Sequence, residues 1–314
     1  MKVAVFGGTG YVGSYIVEEL IKNGHTPRLL VRPGSEKKII KPRKCEIVKG
    51  DINDLNVVKE VIMGTEAVIY LIAVIREFPR KGITWEKLQF QATTSCIDIT
   101  NELNIKRFLL MSANGVKPHG TNYQKTKFMA DEYLKNSGLR YTIFRPTSLF
   151  GDPRGNGRPE FNTQIFNDML SLPIPAPLFH HGLIPNNAGE FEFNPIHVKD
   201  VASIFIKSIE HKDMFNKIYS LGGPDKVTWK NMIKMVSKVV GKKKMSIPAP
   251  VIVVKTIASL FKYFKWFPVT PEQLTMIMED NTCESTELFN NLNMEPIIYN
   301  EENLSYLKSN KNDI

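Results

Sequence analysis

Cysteine is scarce in this 314-residue chain. Its three copies, Cys45, Cys96 and Cys283, lie far apart and form no C-x-x-C pair. That excludes a disulfide framework and a cysteine-built zinc or iron–sulfur site, and it fits a reducing compartment. Long apolar runs are missing as well. No uncharged apolar stretch reaches about 18 residues, so no membrane span is expected. The first six residues run straight into glycines without an apolar run and small-residue cleavage site, so no signal peptide is expected. Acidic residues and arginine are both absent from 226–271, a stretch that holds ten lysines.

What is present is ordinary in bulk. Hydrophobic residues are 42% and charged residues 23%, which excludes a disordered tail, a collagen or a coiled coil. The length suits one large or two modest domains at roughly 150 residues each. A chain of this size buries a large core without staples. The net charge of +9 is local: outside 226–271 the chain carries 31 basic residues against 32 acidic ones. A nucleic-acid reader spreads arginine and aromatics over a surface, so no nucleic-acid partner is expected.

The first half alternates short apolar runs with helical patterns. Strands are expected at Lys2–Phe6, 28–31, 45–49, 67–74, Arg107–Met111 and 140–144, and helices up to Ile21 and over 57–63, 90–103 and 128–136. Strands apolar on both faces, separated by helices, predict a parallel sheet covered on both sides. After Pro146 the pattern breaks. Residues 151–159 and 173–185 are rich in glycine or proline and read as loops. An extended stretch and a helix return over 191–209, and Lys217–Leu221 is a strand closed by Gly222-Gly223-Pro224. The remainder reads as helical with a hinge at Pro248 and Pro250. The expected fold is α/β: a Rossmann-type doubly wound parallel sheet over 1–150 and 190–224, with a smaller, mostly helical substrate domain over 151–189 and 225–314.

The loop Gly7-Gly8-Thr9-Gly10-Tyr11-Val12-Gly13 follows an apolar run and opens a helix. Glycines there permit positive φ and let the backbone approach a pyrophosphate, while the helix N-terminus offers N–H groups to the anion. The residue that meets the ribose 2′ position should close the second strand, where NAD sites usually carry Asp or Glu. Here the stretch reads Leu29-Leu30-Val31-Arg32-Pro33, with no acid before Glu36. A guanidinium suits a 2′-phosphate through a forked contact, so NADP(H) is expected over NAD(H).

Tyr123 and Lys127 are spaced i, i+4 and share a helix face. A free tyrosine titrates near 10. A nearby ammonium favours the phenolate and makes the pair usable for acid–base work. Ser112 ends the fifth strand at the carboxyl edge of the sheet, where such folds bind ligands. It is placed to hydrogen-bond a carbonyl under reduction.

These motifs stand in one order with Gly50-Asp51, Phe144-Arg145-Pro146, 195–201 (Pro-Ile-His-Val-Lys-Asp-Val) and Gly222-Gly223-Pro224. In that order the chain resembles the extended and atypical short-chain dehydrogenase/reductases. It is most similar to the NmrA-like branch that includes the dehydrogenase-like accessory subunit of respiratory complex I. The resemblance implies NAD(P) binding by Gly7, Thr9, Gly10, Tyr11, Val12 and Gly13, adenine contacts near Asp51 and Ile52, and ribose–nicotinamide contacts from Leu71, Ile72 and Ala73. It implies that Tyr123 and Lys127 hold the nicotinamide ribose or the substrate, with Pro146 and Thr147 beside the carboxamide. Ser112 precedes Tyr123 by fewer residues than is usual in active members. Where the family supplies an asparagine, this chain reads Gln89-Phe90-Gln91-Ala92. The branch holds both catalysts of hydride transfer to small carbonyls or alcohols and nucleotide-bound proteins without turnover.

His180-His181 has no acid or cysteine at ligand spacing, so no metal site is expected. Arg154 and Arg158 read as solvated loop charges beside a substrate lid. Lys226, Lys230, Lys234, Lys238 and Lys242 recur every four residues between apolar ones, the pattern of an amphipathic helix with a lysine face. Residues 251–267 are apolar, with Lys255, Lys262 and Lys265 near one face and Phe261, Phe264, Trp266 and Phe267 among the rest. Lysines beside aromatics suit an anionic bilayer surface; two ordinary helices with solvated lysines are the other reading. The expected location is cytoplasmic, with peripheral contact to an anionic membrane or a membrane complex through 226–271. The expected ligand is a small-molecule substrate.

Overall fold

The computed structural model describes residues 1–155, 157–182, 184–261 and 269–309. They form two compact units: Met1–Pro146 with Val198–Leu221, and Thr147–His197 with Gly222–Ile314. In chain order the first unit opens with β1 (Lys2–Phe6), α1 (Tyr11–Lys22), β2 (Thr26–Val31), β3 (Glu46–Lys49), α2 (Leu55–Ile62) and β4 (Ala67–Tyr70). It continues through α3 (Ala92–Glu102), β5 (Arg107–Met111), α4 (Asn122–Lys135) and β6 (Arg140–Pro146). The chain then leaves for β7 (Leu149–Phe150), α5 (Phe161–Ile165), β8 (Ala176–His180), β9 (Glu192–Phe193) and β10 (Ile196–His197). It returns for α6 (Val198–Ser208) and β11 (Lys217–Leu221). It leaves again for β12 (Val227–Thr228), α7 (Trp229–Val239), β13 (Ser246–Pro250), α8 (Val251–Phe261) and α9 (Pro271–Met278).

The first unit is a seven-stranded sheet of order β11-β6-β5-β4-β1-β2-β3. Every pairing in it is parallel. The order reverses between β1 and β4, the switch point at which doubly wound sheets open a crevice at their carboxyl ends. One face carries a core of Phe6, Val68, Tyr70, Cys96, Phe108, Leu110 and Ile143. On the other, Phe144 packs on Phe205 of α6 with ring centroids 4.3 Å apart. Two covered faces explain why the central strands read as unbroken apolar runs.

Helices start where the chain supplies caps. Thr121 and Gln124 form a reciprocal capping box on α4, and Asp54 accepts the N–H groups of Asn56 and Val57 on α2. Helix α1 starts at Gly10 with no side-chain cap. Its glycines are set by space. Gly7 has φ +95°, in the left-handed region. A Cβ at Gly13 would lie 2.1 Å from the Gly7 carbonyl oxygen, so only glycine lets α1 pack this closely on the β1 loop.

The second unit is organised around Trp229, which is fully buried. Its ring stacks between Phe179 and Phe191, each 6.0 Å away, and its indole N–H donates to the Pro177 carbonyl at 2.9 Å. Three expectations fail here. Arg158, expected as a solvated loop charge, is buried and donates to the carbonyls of Pro153 and Arg154. Residues within 173–185, read as loop, form β8, and the expected hinge at Pro248 and Pro250 is β13, paired in parallel with β8. A two-stranded ribbon leaves each strand with a free edge. Prolines at alternate positions can turn their missing N–H to that edge. Their composition therefore hid a strand.

Helix α7 buries Trp229, Met232, Ile233 and Val236; of the five lysines expected on one helix it carries Lys230, Lys234 and Lys238, with Lys234 and Lys238 exposed, while Lys226 and Lys242 fall outside it. Two of these lysines pair with acids outside the lysine stretch: Lys230 with Glu190 at 3.3 Å, and Lys238 with Glu301. Helix α8 differs. It packs Val251, Val254 and Ala258 on the unit's core, while Ile252 (67%), Val253 (51%), Ile257 (42%) and Leu260 (71%) are exposed on the other side. The lysines and aromatics expected at 262–267 lie outside the described residues. No described helix is long and apolar enough to cross a membrane.

Gly13→Ala should lower stability by about 1–3 kcal/mol, the usual cost of overpacking. Gly10→Ala, whose added methyl meets only the Gly7 oxygen at 3.1 Å, should cost less. Urea midpoints of the two variants test this, and an unchanged midpoint for Gly13→Ala contradicts the close approach.

Candidate functional site

Four loops leave the carboxyl edge of the first unit's sheet around the switch point. After β1 come Gly7 to Gly10, with Thr9 half-buried, Gly10 exposed, and Tyr11, Val12 and Gly13 buried as α1 begins. The turn is closed by the Gly10 N–H donating to the Gly7 carbonyl at 3.0 Å. The first N–H groups of any helix lack intrahelical partners. With no side-chain cap and no Cβ at Gly10, this end of α1 fits a pyrophosphate.

After β2, Arg32 is exposed and makes no ion pair among the described residues. Glu36, the first acid to follow it, faces Lys49 at 3.6 Å. Its carboxyl is held below the usual range chiefly by backbone hydrogen bonds. Beside this edge Gly50 donates its N–H to the Val31 carbonyl at 3.1 Å. Asp51 is exposed and accepts the Asn53 N–H at 2.9 Å. Ile52 is buried in the core cluster, so its side chain is turned from the edge.

After β4 the expected strand over 67–74 stops at Tyr70. The Leu71 N–H still donates to the Phe6 carbonyl at 2.9 Å, and Leu71 packs on Gly7. Ile72 is half-buried and Ala73 exposed. The Val74 carbonyl accepts from the Trp85 indole and the Gln89 amide, each at 2.9 Å. These bonds tie the loop to a π-helical turn over 86–91, the widened helix type found often at functional sites.

The polar centre is a small cavity lined by Tyr70, Gln89, Ser112, Lys127 and Asp131 together with apolar residues. Lys127 donates to the Met111 carbonyl at 3.0 Å. Burial lowers its ammonium to about 8, opposed by the charge of Asp131. Ser112 donates its hydroxyl to Asp131 Oδ2 at 3.0 Å. The same oxygen accepts from Arg145 Nε at 2.9 Å and lies 2.8 Å from Nη2 in an ion pair. Asp131 Oδ1 is buried without a partner.

Tyr123 is half-buried in the first turn of α4, edge-on to Trp85 with centroids 6.4 Å apart. Burial pushes its phenol up to about 12. The sequence expectation was the reverse, that Lys127 would favour the phenolate. Here the ammonium is directed at a backbone carbonyl, so desolvation of the ring decides the direction. Pro146 ends β6 and its carbonyl accepts the Asn114 N–H at 2.9 Å. Thr147 belongs to the second unit and donates its hydroxyl to the Asn194 carbonyl at 2.7 Å.

Asp131 and Gln89 were not singled out as site residues by sequence reasoning. A signal existed for the first: Tyr123, Lys127 and Asp131 are spaced i, i+4, i+8, so one helix face carries all three. For Gln89 the signal was the run Gln89-Phe90-Gln91-Ala92 standing where the family supplies an asparagine, but the spacing did not say that Gln89 is the glutamine turned inward.

A family model described as NAD(P)H-binding matches residues 7–169. The chain is similar to the 40 kDa subunit of mitochondrial NADH-ubiquinone oxidoreductase from Neurospora crassa, with 22% identity over 312 residues, 97% of this chain and 78% of that protein. It is also similar to the chloroplastic divinyl chlorophyllide a 8-vinyl-reductase of Oryza sativa subsp. indica, with 24% identity over 265 residues, 79% of this chain and 61% of the relative. In fold it is similar to the UDP-glucose 4-epimerase of Thermus thermophilus solved with NAD, at TM-score 0.73 and 16% identity over 98% of each chain.

The cavity yields a pH test. Lysine titrates near 10.4 in an unfolded chain, so between pH 8 and 10 the unfolded state binds more protons and stability rises with pH through this group. Lys127→Met should therefore be more stable than the parent at pH 7 by up to about 3 kcal/mol. That gap should close toward pH 10. Urea midpoints at both pH values measure it, and a gap that stays constant with pH would refute the assignment.

Proposed function

From the premise that this chain belongs to the NAD(P)H-binding family, we propose that it transfers a hydride between a nicotinamide dinucleotide and a small carbonyl or alcohol. The observation that carries this reading is the meeting of two features at one sheet edge. An uncapped, glycine-lined helix start follows β1, and a buried lysine cavity with a tyrosine one helical turn away lies across β4, β5 and α4.

The roles follow from placement. Gly7, Thr9, Gly10, Tyr11, Val12 and Gly13 hold the pyrophosphate. Arg32, with no acid paired to it among the described residues, takes the 2′-phosphate, so NADP(H) is favoured. Asp51 and the backbone at Ile52 border the adenine. Leu71, Ile72 and Ala73 flank the ribose and nicotinamide, and Lys127 binds the ribose hydroxyls. Pro146, which ends β6, borders the carboxamide.

The nicotinamide supplies or accepts the hydride when bound. This chain's part is the proton. A phenol carries its proton at neutral pH, so Tyr123 is the group placed to donate to a carbonyl oxygen. Ser112, held by Asp131, shapes the wall of the cavity.

A second reading is a nucleotide-bound protein without turnover that docks on an anionic membrane or a membrane complex. The exposed apolar side of α8 supports it. So does the lysine stretch 226–271, and one relative is a subunit of a respiratory enzyme.

Calorimetry should find NADPH bound more tightly than NADH, with Arg32→Ala narrowing the gap; equal affinities in the parent would remove the 2′-phosphate role. Tyr123→Phe should abolish turnover at nearly unchanged cofactor affinity if the tyrosine is the donor. A carbonyl screen with no cofactor oxidation would favour the second reading. That reading predicts co-sedimentation with anionic but not neutral liposomes at low salt, with release at high salt as the Debye length falls from about 10 Å at 0.1 M to about 3 Å at 1 M. Replacing Lys242, Lys243 and Lys244 with Gln should weaken it. Binding indifferent to lipid charge would exclude this docking.

A further inference from the structure

Asp131 is the most constrained ionisable group in the first unit. Its side chain is fully buried. Oδ2 accepts two hydrogen bonds, one from Arg145 Nε and one from Ser112, and Arg145 Nη2 stands 2.8 Å from it as an ion pair. Oδ1 accepts none, although the residue shares a cavity wall with the Lys127 ammonium one helical turn away. A buried carboxylate oxygen without a partner is costly. The arrangement persists because Asp131 is surrounded by positive charge.

The ionisable groups around Lys127 are few. Tyr123 and Asp131 lie on its own helix, Tyr70 comes from β4 and Arg145 from β6. Burial raises both tyrosines, which keeps them neutral. The charged set is therefore Arg145, Lys127 and Asp131, two cations and one anion. Arginine cannot shed its proton here. Without the carboxylate, two cations would share a desolvated site, and the lysine is the one able to neutralise.

Arg107 supplies an internal comparison. It too is buried and has no carboxylate partner, but its guanidinium donates to the carbonyls of Ile209, Arg140 and Ser208 and to the Thr142 hydroxyl. Lys127 has a single carbonyl acceptor. Four acceptors can hold a buried cation without a counter-ion; one acceptor cannot.

We propose that Asp131 is a positioning residue whose carboxylate keeps Lys127 protonated at neutral pH, and that cofactor affinity depends on pH through this pair. The proposal rests on the reading that Lys127 binds the cofactor ribose. Asp131 touches no reacting atom in it. The carboxylate acts along the helix face, and Arg145 and Ser112 fix which of its oxygens is spent on the scaffold and which is left for the lysine.

The test is NADPH affinity between pH 5.5 and 9.5 for the parent, Asp131→Asn and Asp131→Glu. The parent should hold its affinity to about pH 7.5 and lose it above about pH 8, where Lys127 gives up its proton. Asp131→Asn should shift that loss to lower pH by at least one unit, an affinity at least about threefold weaker at pH 7.5 that recovers toward pH 5.5. Asp131→Glu should restore most of the parent profile. A uniform loss at every pH would make Asp131 merely structural and overturn the proposal.

Lysine Cε NMR of the cofactor-free protein separates this from the underlying reading. If Lys127 titrates lower in Asp131→Asn while affinity shows no pH step in either protein, Asp131 holds the lysine as proposed and it is ribose contact that fails. If Lys127 titrates identically in both, the proposal itself fails. Should Asp131→Asn not fold, carboxyl carbon NMR of the parent decides alone. An ionised Asp131 at pH 7 is expected, and a protonated one would overturn the assignment.

Discussion

The geometry of the first unit depends on a contact with no room for a side chain. Helix α1 lies so close to the β1 loop that its Gly13 α-carbon faces the Gly7 carbonyl with space for hydrogen alone. That approach aims the uncapped helix start at the carboxyl edge of β1. Because β4 pairs beside β1, the loop after Tyr70 is carried against the same edge, where Leu71 packs on Gly7. The site is thus built by backbone proximity before any charged residue is placed. Side chains at Arg32, Lys127 and Asp131 then work from positions that the sheet order has fixed.

Polarity inside this unit is arranged by a different rule. Desolvation pushes Lys127 and Arg107 down and Tyr123 up, each toward its neutral form, as burial demands. Which groups remain charged is decided by how many acceptors they reach. Arg107 is held by carbonyls of strand ends and helix α6 and fastens the far edge of the sheet. The Arg145–Asp131 pair joins β6 to α4 and closes the cavity from behind. Breaking one side of such a pair leaves an uncompensated buried charge, which costs more than the pair itself contributes.

Much of this was legible in the residues. The parallel sheet followed from apolar runs at β1, β4 and β5, and the glycine loop announced its own position. The shared helix face was visible in the spacing of Tyr123 and Lys127, and Asp131 sat one turn further along it. What could not be read was direction and partnership. Nothing in the spacing says that Ser112 turns to Asp131, or that Lys127 meets a carbonyl instead of the phenol. Proline misled at β8 and β13, because composition reports the missing N–H but not which side of the strand it faces. The lysine period of α7 was correct as a helix. Its pairing with Glu190 and Glu301, distant in sequence, was hidden.

Those pairings matter for the lysine stretch as a whole. Lys230 (42%) and Lys238 (71%) keep much of their side chains exposed and their pairs are worth little energetically, yet they return two of the ten positive charges to the unit's own surface. The remaining asymmetry lies toward Lys242, Lys243, Lys244 and α8. A surface helix normally turns a polar stripe outward. Helix α8 instead offers Ile252, Val253, Ile257 and Leu260 beside exposed Thr256 and Ser259 and half-buried Lys255. Charge alone would attract an anionic surface weakly and reversibly; apolar side chains alone would favour indiscriminate association. Side by side in the chain, they are the two features that the proposed docking on an anionic surface would use, long-range attraction and short-range burial. The first unit needs neither feature to bind a nucleotide, so the two ends of this chain answer to separate physical demands.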